Sequence, residues 1–272
     1  MSDIIIKKEG CTVQHGPLND RVYLMNFDKE VMNEELPLKL LTMAEEEECG
    51  KIVAKIPQRM RKPFLDAGYG VEARVREMFG KDDGIFATYY LQDREHTVVS
   101  DAEMSILLEC TRKEPTLSED TEGVQELVES DAAEISALMA DTFESYPFPI
   151  QEEDYVRKKI QDGTRYFGIR EEGVLVAVGA TEIDRQNRCV EMTDMATKED
   201  SREHGMSGRI LSAMQIAMKK DGIRTAYAIA RAKSPGINAV FSSHGYFYGG
   251  TLRSNTNFDG NLENMNVWHK RL

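Results

Sequence analysis

A stretch near residue 64 recurs near residue 241, and this recurrence restricts the fold more than any other property of the chain. Phe64-x-x-x-Gly68-Tyr69 is followed by Asp83-Gly84, and Phe241-x-x-x-Gly245-Tyr246 by Asp259-Gly260. An apolar run precedes each copy, Ile52–Ile56 and Ala226–Ala230, and another follows, Phe86–Leu91 and Met265–His269. Glycine after an amphipathic segment is a common helix stop, because it takes the left-handed conformation without a Cβ clash. Both copies therefore predict strand, helix, strand, strand, and the chain is expected to hold two halves of one α/β type. The polar, Pro-containing stretch Arg112–Glu122 reads as the linker, which gives domains 1–117 and 118–272.

Other elements follow from pattern. Thr12–His15 and Val22–Met25 alternate around Gly16, Pro17, Asn19 and Asp20 as a hairpin does. Asn33 is a candidate cap for a helix over Glu34–Cys49, closed by Gly50. The carboxylate run Glu45–Glu48 reads as a solvated face. In the second half, Asp131 precedes a helix with apolar Ile135, Leu138, Met139 and Phe143. Pro147 and Pro149 forbid helix over Ser145–Ile150, so that segment must be an ordered loop. A short helix over Glu152–Gln161 and strands at Arg165–Arg170, Val174–Ile183 and Cys189–Thr197 follow. A helix over Gly205–Lys220, a strand at Thr225–Ala230 and a helix over Pro235–His244 lead to the final strands, Tyr246–Leu252 and Asn264–Lys270.

Composition narrows function. With 34 Lys and Arg against 47 Asp and Glu, the formal charge is −13, which disfavours general binding to nucleic acid or anionic membrane. No apolar run approaches the length of a membrane span, and the N-terminal residues lack the pattern of a signal peptide. Cys11, Cys49, Cys110 and Cys189 show no metal-finger spacing and are expected as free thiols in the cytoplasm. His15, His96, His204, His244 and His269 are scattered, so no metal site is expected.

The chemistry-bearing stretch runs from Cys189 to Gly208. A strand ends at Met195-Ala196-Thr197, the chain turns, and Arg202-Glu203-His204-Gly205-Met206-Ser207-Gly208 opens a helix. The first backbone N–H groups of a helix have no internal partner, and the helix dipole favours an anion there. Small residues at 205, 207 and 208 allow close approach, and Arg202 and His204 add donors, so this is a candidate pyrophosphate cradle. It is neither a Walker loop nor a Rossmann fingerprint.

The pattern Arg-x-x-Gly-x-Ser after a strand resembles the acyl-CoA loop of the GNAT N-acetyltransferases, with Ser207 in place of the last small residue. The resemblance extends to Glu191–Thr197, Thr225–Ala232, Gly245–Leu252, Asn255–Asn257, Met265–Lys270, Tyr146–Pro149 and, near the N-terminus, His15-Gly16 and Asn19–Met25. Over essentially the whole chain it is similar to the β-lysine N-acetyltransferases, which work beside a lysine aminomutase to make a compatible solute. The resemblance implies a mixed α/β sheet of the acyl-CoA N-acyltransferase fold, preceded by a degenerate copy that lacks the coenzyme loop and has a structural role. It implies acetyl-CoA as cofactor and the ε-amine of β-lysine as acceptor.

An amine must lose its proton before it attacks a thioester, and a carboxylate can take it. Glu191 is the favoured base, with Asp194 orienting the substrate. Three residues apart on a strand, they point to opposite faces unless a bulge intervenes. The strand end Met195, Ala196 and Thr197 would face the pantetheine arm and stabilise the developing oxyanion. Many family members carry a tyrosine acid four residues before the glycine of the Gly-aromatic pair; here that position is Phe241, so Tyr246 and Tyr248 are the substitutes to test. The family's pantetheine-contacting asparagine falls at Ser234, with Asn238 one turn on. For the acceptor, Tyr146 and Phe148 are expected to wall the alkyl chain, Glu182 and Asp194 to hold the β-ammonium, and Asn255 or Asn257 the carboxylate. Two alternatives stay open: acetylation of another small amine, and a non-catalytic acyl-CoA-binding protein. A homodimer is among the expected assemblies.

Overall fold

The structure, a computed structural model, describes residues 3–28, 31, 33–91, 94, 98–202, 204–258 and 260–272. His96, Glu203 and Asp259, singled out above, lie outside the described residues.

The first half runs β1 (Ile4–Lys8), β2 (Cys11–Gly16), β3 (Arg21–Phe27), α1 (Leu36–Glu46), β4 (Lys51–Pro57), α2 (Arg61–Asp66), β5 (Gly70–Phe79) and β6 (Asp82–Tyr90). Helix α3 (Asp101–Arg112) follows. The second half runs β7 (Val124–Leu127), α4 (Ala132–Thr142), α5 (Glu153–Gln161), β8 (Arg165–Glu171), β9 (Val174–Asp184), β10 (Cys189–Thr197), α6 (Met206–Lys220), β11 (Thr225–Arg231), α7 (Pro235–Ser243), β12 (Phe247–Phe258) and β13 (Asn261–Arg271).

All thirteen strands form one sheet, in the order β1-β2-β3-β4-β6-β5-β12-β13-β11-β10-β9-β8-β7. Read from its own outer edge and with β7 set aside, each half has the same order. In each, the pair across the helix crossover is parallel, β3 with β4 and β10 with β11, and its neighbours are antiparallel. The helix stops repeat as well. Gly68 and Gly245 have φ of 89° and 78°. Tyr69 N–H donates to Phe64 O at 3.0 Å, and Tyr246 N–H to Phe241 O at 3.1 Å. In both, the tyrosine packs edge-on against the phenylalanine, with ring centroids 4.9 and 5.2 Å apart.

Helices α1 and α2 cover one face of the first half, closing a core around Leu40, Ile52 and Phe64. Helices α6 and α7 cover the second, over Ile210, Met214, Phe241 and Trp268. Helix α3 was not foreseen, although Ser100 and Glu103 form a complete capping box at its start. It precedes the polar stretch, yet its Leu107 and Cys110 pack into the second half's core. On the opposite faces, Tyr23, Val53 and Phe86 of the first half meet Tyr227, Leu252 and Met265 of the second in one apolar layer. That layer fixes the two halves against each other and frames the site.

Candidate active site

Strands β10 and β11 pair only from Cys189 with Thr225 to Glu191 with Tyr227. Beyond these residues they separate, while β10 keeps its bond to β9 through a register shift between Thr193 and Ala196. Asp194 sits in that bulge at φ 49°. A bulge bends its strand and raises the twist, which leaves the β11-facing backbone edge of β10 unpaired. Into the resulting cleft opens a cavity of about 770 Å³, lined by Met195, Ala196 and Thr197 from β10 and by Ile229 and Ala230 from β11.

The far end of this cavity is the start of α6. Gly205 caps the helix at φ 71°, and no side chain among the described residues caps its first turn. Arg202, Gly205, Met206, Ser207 and Gly208 line the cavity here. Ser207 Oγ lies 3.1 Å from Thr197 Oγ1, and Arg202 Nε donates to Thr197 O at 3.3 Å, so the loop is tied to the strand end. A Cβ on Gly208 would lie 3.1 Å from His244 Cε1, so that glycine also lets α6 approach α7. An uncapped helix start, an unpaired strand edge and a long cleft between them suit the diphosphate and pantetheine arm of coenzyme A. Ser234, at the start of α7, lines the same cavity. His204 is exposed and stands outside the lining. Asn238 is fully occupied: it donates to Arg231 O and Ser234 O and accepts from Asn266 and Trp268, so it holds α7 to β13 and does not reach the cleft.

A second cavity, of about 660 Å³, lies between the halves. Tyr146, Thr193, Ile229, Phe258 and Met265 line both cavities and mark their junction. From the second half come Glu182, Glu191, Tyr227, Phe148 and Asn255; from the first, Arg21, Tyr23 and Lys55. The loop bearing Tyr146 and Phe148 is held by the first half, through Gln14 Nε2 donating to Pro147 O at 2.8 Å. Arg21, Lys55 and Tyr227 were missed in the sequence. The stretch Asn19–Met25 carried the signal for Arg21, but nothing local says that β3 faces β10 across a cavity.

The two carboxylates flagged on β10 fall in different cavities. Glu191 lines the cavity between the halves and Asp194 the cleft that ends at the start of α6. Tyr227 Oη–H donates to Glu191 Oε2 at 2.5 Å, and Lys55 Nζ donates to Tyr227 Oη at 3.0 Å. Burial raises the Glu191 carboxyl, opposed by the nearby Lys55 charge and reinforced by Glu182. Glu182 is its direct cross-strand partner and forms an ion pair with Lys159. Two carboxylates side by side on one sheet face repel, and the Lys159 charge paired with Glu182 offsets part of that repulsion. Asp194 accepts from Tyr146 and Tyr166, each at 3.2 Å, and burial pushes it up to about 6. Both of its oxygens are engaged, which suits a group that positions Tyr146.

Tyr246 lines neither cavity. It is buried in the α6–α7 core, its hydroxyl has no hydrogen-bond partner among the described residues, and burial raises its pKa. Its place is fixed by the helix stop it completes. Tyr248 donates to or accepts from Thr251 at 2.6 Å, also outside both linings. Asn257 accepts from Gly260 N–H and shapes the β12–β13 turn, outside the lining of the cavity between the halves.

The family model described as "Acetyltransferase (GNAT) family" matches residues 133–246. The chain is 33% identical over 270 residues to the β-lysine N(6)-acetyltransferase of Methanococcus maripaludis, covering 98% of each chain. It is 28% identical to the protein of the same name from Methanosarcina mazei, over 88% of this chain and 97% of that one. It is 27% identical to the N-acetyltransferase YodP of Bacillus subtilis, over 98% of each. With 33% identity over 98% of the Methanococcus maripaludis relative and the match to the family model, the chain belongs to the GNAT acetyltransferase family.

Proposed function

We propose that the protein transfers an acetyl group from acetyl-CoA to the N6 amine of β-lysine. The observation that carries this reading is the meeting of two cavities at Thr193, one built for a coenzyme and one walled by carboxylates. Acetyl-CoA, when bound, supplies the acetyl group as an activated thioester. The residues of the chain then have three tasks.

The first is to hold the coenzyme, through the amides at the start of α6 and the free edge of β10. The second is to neutralise the acceptor. A lysine-like ammonium has a pKa of about 10.4, so releasing its proton at neutral pH costs roughly 4–5 kcal/mol. Glu191 Oε2 is held by Tyr227, while Oε1 takes no hydrogen bond among the described residues, so that oxygen is the one to receive the proton. The third is to stabilise negative charge on the transferred carbonyl, for which the unpaired β10 amides beside the bulge are placed. No tyrosine acid stands at Phe241. A thiol leaves at a pKa of about 8.5 and can leave unaided as thiolate.

In this reading the first half is a degenerate copy of the second that keeps the strand order without the coenzyme loop. Residues 28–35, between β3 and α1, contain no glycine. Acetylation removes one positive charge from β-lysine and leaves a net-neutral zwitterion, which is what a cytoplasmic compatible solute requires. The enzyme would work in the cytoplasm on a free small molecule, without nucleic acid or membrane.

The test is an acceptor panel followed by thiol release, with the product located by tandem mass spectrometry. β-Lysine should exceed α-lysine and spermidine in kcat/KM by at least tenfold and gain its acetyl group at N6. Equal rates across the panel would leave only a general amine acetyltransferase.

A further inference from the structure

Three cations of the first half, Lys7, Arg21 and Lys55, line the acceptor cavity; Lys7 is exposed at the surface, and neither Arg21 nor Lys55 has an ion-pair partner among the described residues. Lys55 is committed to Tyr227, donating to its hydroxyl and lying 5.5 Å from its ring centroid. Arg21 is different. It is 3% exposed and, among the described residues, held only by neutral groups: Asn255 O at 2.5 Å, Thr256 Oγ1 at 3.2 Å and Gln14 Oε1 at 3.0 Å. Its Nε–H has no hydrogen-bond partner among the described residues. A buried guanidinium without a carboxylate is costly, and burial already pulls its pKa down to about 10. Such a group is compensated when an anion arrives.

The geometry around Arg21 is also fixed in advance. Gln14 bonds Arg21 through Oε1 and the Pro147 carbonyl through Nε2, so guanidinium and substrate loop are held by one side chain. The opposite wall carries four carboxylates, Asp162, Glu182, Asp184 and Glu191, against two cations, Lys159 and Arg185, of which Lys159 is paired with Glu182, so its net charge is negative. The cavity is therefore dipolar, cationic on the first half and anionic on the second. A polyamine would set an ammonium against Arg21, whereas an amino acid matches both walls.

We infer that Arg21 anchors the carboxylate of the acceptor, so that the first half of the chain selects amino acids over plain diamines. Asn255, expected from sequence to meet that carboxylate, instead fixes Arg21 through its backbone carbonyl. A planar guanidinium grips a carboxylate through two parallel N–H donors, which an ammonium does not reproduce. The inference rests on the proposed acetyl transfer to β-lysine and adds the residue that makes it selective.

The experiment compares acceptors that differ only in the carboxylate: β-lysine with pentane-1,4-diamine, and α-lysine with cadaverine. Wild-type enzyme should favour the carboxylate member of each pair by about 100-fold in kcat/KM, the scale set by an unpaired buried charge. Arg21→Gln should bring that ratio close to one, mainly through KM, and Arg21→Lys should restore part of it. Coenzyme A binding by calorimetry reports whether each variant is folded; if Arg21→Gln is not, Arg21→Lys and the wild-type ratio decide. A wild-type ratio near one, or an Arg21 variant that loses both members of a pair equally, overturns the anchor and leaves β-lysine acetylation standing. Turnover of diamines with none of β-lysine overturns both.

Discussion

Ala73 and Gly250 face each other as the only residues paired between β5 and β12 among the described residues, and each stands the same distance along the chain from its own repeat's phenylalanine. The seam between the halves is therefore a contact of like with like, as at the twofold axis of a symmetric dimer. It leaves no room for side chains. A Cβ on Gly250 would lie 2.1 Å from Glu72 O and one on Gly249 2.3 Å from Arg74 O.

Gly250→Ala should accordingly destabilise the protein by about 2–4 kcal/mol, because the obstacles are backbone atoms and its φ is +136°. Gly236→Ala, in helix α7 with open space around the new methyl, should instead gain roughly 0.5–1 kcal/mol. Urea unfolding measures both, and equal midpoints for the two variants would contradict the seam.

Ser207→Asp separates coenzyme binding from folding. An acidic residue in the first turn of α6 suits the helix dipole, so thermal stability should hold or rise slightly. The same charge lines the coenzyme cavity and should weaken coenzyme A by at least about tenfold through repulsion of its diphosphate. Unchanged affinity in calorimetry would show that the diphosphate binds elsewhere.

The pH profile reports on Glu191. Activity requires the ionised carboxylate, so kcat/KM rises through its pKa. Burial raises that pKa, while the Lys55 charge and the Tyr227 hydrogen bond lower it. Tyr227→Phe and Lys55→Met each remove stabilisation of the charged form, so the acid limb should move to higher pH in both. An acid limb that stays put, or moves down, would show that another group titrates.

Lys51 provides a pH effect on stability at the other end of the interface. It is buried between Glu72 at 3.1 Å and Arg253 O at 2.6 Å, and burial lowers its pKa to about 7. The unfolded chain keeps this proton up to about 10.4. Between the two values the unfolded state holds more protons, so this group makes the fold more stable as pH rises. The urea midpoint of the wild type, compared with Lys51→Met, should gain between pH 7 and pH 9. A difference that shrinks over that range would contradict the assignment.

Much of the fold was legible because it is written in local chemistry. Gly68 and Gly245 marked helix stops, Pro147 and Pro149 kept residues 145–150 out of helix, and Gly205 marked the turn that opens α6. The repeat led directly to the shared strand order. What stayed hidden depends on partners far away in sequence. Strand alternation already set Glu191 and Asp194 on opposite faces, and they line different cavities; the bulge at Asp194, which has no residue signature, is what frees the strand edge beside them. Asn238, one turn beyond the position the spacing picks out at Ser234, is the residue type a coenzyme contact would use, but Asn266 and Trp268 on β13 occupy it. The first half was expected to be structural, and it does complete the sheet. It also lends Arg21 and Lys55 to the acceptor cavity, through a face-to-face arrangement no periodicity encodes.

The account turns on proton removal by Glu191 in a site that binds its coenzyme independently. Glu191→Gln keeps the shape and the Tyr227 contact while abolishing the base. Its kcat with β-lysine should fall by about 10²–10⁴-fold, with the Kd for coenzyme A within about twofold of wild type. A variant that keeps its kcat would contradict the account outright.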